Sequence, residues 1–108
     1  MVRRHVQVEE AMTQLAADFL AREGGVKALI TVTRADMADD YKCATVYFSV
    51  LPATMEESAL KFAKRARSDF RDYVRTHSNL HPAPTVDFAI DYGEKNRQRV
   101  DELTRENK

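Results

Sequence analysis

Apolar side chains recur at Val8, Met12, Leu15 and Phe19, with Ala11, Ala16 and Leu20 beside them. Steps of four, three and four put these on one stripe of a helix, which the Gly24-Gly25 pair ends. The pattern then changes period. Leu29–Thr33 and Cys43–Leu51 are rich in β-branched and aromatic residues, alternate along the second run, and predict two strands. Met37-Ala38-Asp39-Asp40 reads as the turn of an antiparallel hairpin, and Pro52-Ala53 closes the second strand. Thr54-Met55-Glu56-Glu57 fits a capping box, so a helix is expected to start there. Its apolar side runs Met55, Ala59, Phe62, Ala66, Phe70, Tyr73 and His77, close to the 3.6-residue period over a length that suggests a bend. After Pro82 and Pro84, Thr85–Asp91 alternates with Val86, Phe88 and Ile90 inward and predicts a third strand.

The order is α-β-β-α-β, an α+β class. Ile30 and Val32, Ala44 to Val50 at every second position, and Val86, Phe88 and Ile90 can share one side. Thr45, Tyr47, Ser49, Asp87 and Ala89 are left on the other, so the helices should cover one face only. A crossover through the long helix makes the second and third strands parallel if they are adjacent. Residues 1–92 are read as one domain, and 93–108, apolar only at Val100 and Leu103 at helical spacing, as a helical or frayed tail.

Composition narrows the classes. At 108 residues, 44% hydrophobic and 31% charged, the chain is one charge-rich domain, too apolar to be disordered and too short for an α/β barrel. A single cysteine, Cys43, can form no internal disulfide and suits a reducing cytosol. No run approaches a membrane span or a signal peptide, and a cytoplasmic location is expected.

Charge is segregated although Lys+Arg and Asp+Glu both number 17. Residues 61–81 carry Lys61, Lys64, Arg65, Arg67, Arg71 and Arg75 against Asp69 and Asp72, whereas 29–60 are acidic. On a helical wheel Lys61, Lys64, Ser68, Arg71 and Arg75 lie opposite the apolar stripe and should face solvent in a row. Such a row is an electrostatic footprint for a phosphate backbone, and Arg3 and Arg4 could extend it. The same cations could equally be a solvated helix face in which Asp69 and Asp72 pair with Arg65 and Arg75. Tyr47 is the one candidate stacking surface on the sheet.

Other chemistry finds little footing. His5, His77, His81 and Cys43 match no metal-ligand spacing, and His77 reads as the end of the apolar stripe. Asp39-Asp40 and Glu56-Glu57 are explained as turn and capping residues, and no phosphate loop accompanies Gly24-Gly25. No catalytic residue, metal, cofactor or small-molecule substrate is expected, and the chain is read as a monomer without membrane contact.

Three strings resemble one family. Leu29-Ile30-Thr31-Val32-Thr33 through Asp40, followed by Ala44–Leu51, is similar to the hairpin of ribosome-binding factor A. Pro84–Asp91 resembles its third strand, and Arg99-Val100-Asp101-Glu102-Leu103 its tail. The resemblance implies a type II KH-like domain with a three-stranded sheet and no GXXG loop. It also implies a long helix broken at an Ala-x-Gly motif, matched here by Ala66-Arg67-Ser68 with Ser in place of Gly. By the same resemblance Arg67 and Ser68 lie on a surface that meets ribosomal RNA. The implied role is a non-catalytic factor that binds the immature small (30S) ribosomal subunit through 16S-type rRNA and assists late maturation and rRNA processing. The RNA-contacting set is then Arg3, Arg4, Lys61, Lys64, Arg65, Arg67, Ser68, Arg71 and Arg75. The alternative is a protein-interaction adaptor using the open sheet face or the acidic 29–60 stretch. The chain departs from the family with Gly24-Gly25-Val26 in place of Asp-Pro-Arg, with Glu94 and Arg97 in place of an apolar residue and Gly, and in its neutral charge.

Overall fold

Alternating β-branched and aromatic residues build the centre of the molecule, which is described by a computed structural model over residues 2–23 and 28–93. Strand β1 (Leu29–Met37) pairs antiparallel with β2 (Cys43–Leu51), and β2 pairs parallel with β3 (Thr85–Ile90), so β2 is central. The parallel pair follows from the crossover through α2 (Glu56–Arg65) and α3 (Arg67–His77). Helix α1 (Val2–Glu23) lies against β1 and α3. The predicted α+β order is the observed one, with helices on one face.

Period-2 alternation fixes that face. Val46, Phe48, Val86 and Phe88 are buried, whereas Thr45, Tyr47, Asp87 and Ala89 are only partly so. An aromatic chain joins the layers: Phe19 to Phe70 at 5.2 Å, Phe70 to Phe88 at 5.5 Å and Phe88 to Phe48 at 6.3 Å between ring centroids. Each fully buried ring contributes about 1.5–3 kcal/mol by transfer alone. Ala63 and Val74, outside the predicted stripe, are fully buried, while His77 is exposed and lies stacked on Tyr73 instead of ending the stripe in the core.

Several boundaries differ from expectation for local reasons. Helix α1 begins at Val2, ahead of the apolar stripe that starts at Val8. Strand β1 continues past Thr33 to Met37 because a bulge between Val32 and Arg34 inserts one residue. The bulge resets the phase, so Ala35 and Met37 are buried while Arg34 and Asp36 stay out. Met37 is therefore a strand residue and not part of the turn. Asp40 Oδ1 accepts the Lys42 N–H at 3.0 Å within that turn, the role expected of it. The capping box does not form. Ala53–Met55 make a short 3₁₀ turn, Met55 precedes α2, and no side chain caps it. The Gly24-Gly25 stop and the 94–108 part of the tail lie outside the described residues.

Candidate nucleic-acid interface

The long helix breaks at Ala66, whose φ of −88° and ψ of 3° leave the helical region. Its N–H is shared between the Phe62 and Ala63 carbonyls, both at 3.1 Å, and its own carbonyl accepts the Phe70 N–H at 2.9 Å. Mixing i−3 and i−4 bonds tightens one turn and re-aims the chain, so α2 and α3 both lean on edge strand β3. Small buried side chains at Ala59, Ala63 and Ala66 permit the close approach. The predicted kink therefore exists, centred on the Ala66-Arg67-Ser68 motif. Ser68 does not make it: its exposed hydroxyl forms no hydrogen bond among the described residues.

Arg67 supplies the missing bond instead. Its Nε donates to the Lys64 carbonyl at 3.0 Å, satisfying an acceptor at the end of α2. Its Nη1 reaches Asp87 Oδ1 on β3 at 3.2 Å, where Lys64 Nζ also arrives at 3.2 Å. The same oxygen accepts the Phe88 N–H at 2.8 Å, a donor on the open side of the edge strand. Partial burial pushes the Asp87 carboxyl up, but the Phe88 N–H, Lys64 and Arg67 outweigh it and hold it below its ordinary range.

The cations do not form one uniform solvent-facing row. Lys61 pairs with Glu57 at 3.1 Å and Arg75 with Asp72 at 3.2 Å, each within one turn. Arg71 is corrected most: its Nε and Nη2 donate to the Ala83 carbonyl at 3.2 and 3.1 Å, so it staples α3 to the loop before β3. Arg65 is exposed and makes no ion pair among the described residues. The expected Asp69–Arg65 pair does not form. What the fold brings together at the break is Lys64 and Arg67, with Asp87 as their shared counter-charge; Arg65, next to Lys64 in sequence, is exposed and does not join them.

Helix α1 starts beside the β1–β2 turn, where His5 lies 5.5 Å from the Tyr41 ring and 3.2 Å from Glu9. Glu9 Oε2 in turn accepts the Met37 N–H at 2.8 Å. The break flanks β3, at the other edge of the sheet. The side chains of Arg3 and Arg4 lie outside the described residues. Tyr47 is no bare stacking platform, because the Arg34 guanidinium sits 3.9 Å from its ring centroid. Burial works against the Arg34 charge, but Asp36, Tyr47 and Asp91 together raise its pKa. Asp87 is missing from the expected set: it lies 23 residues from Lys64, and only the tertiary fold joins them.

A family model described as ribosome-binding factor A matches residues 4–104. The chain belongs to the ribosome-binding factor A family. It is 32% identical to a ribosome-binding factor A of Rhodopseudomonas palustris strain BisB5, over 94% of this chain and 79% of that protein. It is 33% identical to one from Thermobifida fusca over 68% of this chain, but only half of that protein is covered. The crystal structure of ribosome-binding factor A from Thermus thermophilus superposes with a TM-score of 0.70 at 22% identity, over 80% of this chain and 94% of that one. The fold is thus the KH-like fold of ribosome-binding factor A. With glycine only at 24, 25 and 93, this sequence contains no G-x-x-G tetrapeptide.

Proposed function

We propose that this protein is a non-catalytic ribosome assembly factor that binds the immature small (30S) ribosomal subunit through its 16S-type rRNA and assists late maturation and rRNA processing in the cytoplasm. The observation that carries this reading is membership of the ribosome-binding factor A family across residues 4–104. Lys64 and Arg67, joined at Asp87, with the exposed Arg65 between them in sequence, support a docking centre at the α2–α3 break, with Ser68 at its rim and Lys61 and Arg75 flanking. Exposed ion pairs are worth about 0–1 kcal/mol each, so RNA phosphates can take the place of their carboxylates at small cost. Arg71, tied to a backbone carbonyl, contributes shape and stability more than contact.

The mechanism is binding energy alone. Phosphate contacts position the factor without reading sequence, and an RNA fold that presents matching phosphates is favoured by the difference in affinity. Recognition of this kind reads the shape of RNA. Later maturation that removes the matching surface releases the factor. Co-sedimentation with immature and mature small subunits at low and high salt tests this. The chain should pellet with immature subunits at low salt, less with mature ones, and come off as salt rises. A chain left in the supernatant with immature subunits at low salt overturns the reading.

A further inference from the structure

Asp87 differs from an ordinary surface acid in how its donors converge. Its single oxygen Oδ1 receives Phe88 N–H at 2.8 Å, Lys64 Nζ at 3.2 Å and Arg67 Nη1 at 3.2 Å, while Oδ2 makes no hydrogen bond among the described residues. Arg67 is fixed at a second point by its Nε on the Lys64 carbonyl, so the guanidinium is held with its fork toward that oxygen. The side chains stay reachable, Lys64 at 42%, Arg67 at 48% and Asp87 at 50% exposure. An ammonium and a guanidinium fixed around one exposed anionic oxygen make the arrangement in which a phosphate oxygen is bound.

We propose that Asp87 is a built-in stand-in for an RNA phosphate that sets the affinity of this face. Its carboxylate holds Lys64 and Arg67 over the β3 edge in the unbound protein and yields them to a phosphate on binding. This rests on the RNA-binding reading above and adds the residue that limits its strength. With Asp87 in place the Lys64–Arg67 pair carries a net charge one lower than its cations alone, which weakens retention on any polyanion and eases release. The held geometry spares the two long side chains part of their ordering cost when phosphate arrives.

The test uses a fluorescently labelled RNA hairpin, read by anisotropy with the whole chain at low and high salt, beside sedimentation with immature subunits. Asp87→Asn keeps an oxygen for the Phe88 N–H and removes the charge; Asp39→Asn, in the β1–β2 turn, controls for net charge alone. Removing a like charge at contact distance predicts about five- to tenfold tighter binding by Asp87→Asn at low salt, shrinking as salt rises, and less than about twofold for Asp39→Asn. In a Lys64→Gln/Arg67→Gln background the gain should vanish. Circular dichroism confirms folding, and Asp87→Ser serves as the second charge-free variant. If Asp87→Asn and Asp87→Ser bind no tighter than Asp39→Asn, or the gain survives without Lys64 and Arg67, the inference fails while wild-type binding keeps the RNA reading intact. If the wild type binds neither hairpin nor immature subunits, both fail.

Discussion

Thr33 is the extra residue of the β1 bulge, and its hydroxyl donates to Asp91 Oδ2 at 2.5 Å, with the Tyr47 carbonyl also in reach at 3.2 Å. Asp91 is the one charged residue buried among those described, at 7% exposure, so this bond matters more than a surface one. Hydrogen bonds to charged groups contribute about 1.5–3 kcal/mol, and Thr33→Val, which keeps the branched shape, should lose about that much in guanidinium denaturation. A loss below about 0.5 kcal/mol would contradict the role given to the bond. Asp87 has a pH signature as well. Its folded-state pKa is depressed, so its contribution to stability is present above the ordinary carboxylate value of about 4 and fades as pH falls through the lower folded value. The stability gap between wild type and Asp87→Asn should therefore be flat near neutral pH and close on strong acidification; a gap that widens with acid would reverse the sign assigned here. At this scale the exposed Lys64 was legible from a helical wheel, and Arg67 only through the family resemblance. Asp87 and the staple from Arg71 to Ala83 were not, because both bonds span the crossover and leave no local pattern.

Elements were legible where periodicity persisted and obscure where it was reset. β2 and β3 keep strict alternation, and their inward residues are those expected. In β1 the alternation of Ile30 and Val32 would carry Arg34 and Asp36 inward, so the strand read as ending at Thr33; one inserted residue restores Ala35 and Met37 to the core. The length of the helix suggested a bend, but its position was readable only through the family resemblance, since Ala66-Arg67-Ser68 has neither proline nor glycine. The Thr54 cap failed because a 3₁₀ turn occupies the residues a capping box needs. Since the break leans on the Ala66 backbone and the Arg67 side chain, Ser68→Ala should change thermal stability by less than about 0.5 kcal/mol and leave the helical circular dichroism intact. A larger loss would return the break to Ser68. By contrast Phe70→Ala removes the ring that joins α1, α3 and β3 and should cost about 3–5 kcal/mol in chemical denaturation.

For the molecule as a whole, equal numbers of acids and bases mean that the proposed attraction to RNA rests on the placement of charge and not on net charge. Segregation of charge was visible in the sequence, but its geometry was not: the apparent row resolves into intrahelical pairs, a backbone staple and one cluster at the break. The proposed function puts the docking centre at the cations of the α2–α3 break. The most direct measurement is the affinity for immature small subunits, across a salt series, of Lys64→Gln/Arg65→Gln/Arg67→Gln compared with Lys61→Gln/Arg75→Gln. Each phosphate neutralised contributes about 0.7–0.9 to the slope of log affinity against log salt, so the first variant should lose most of the affinity and about two units of slope. The second should lose little of either. Equal losses, or a larger loss from the flanking pair, would contradict a docking centre at the α2–α3 break.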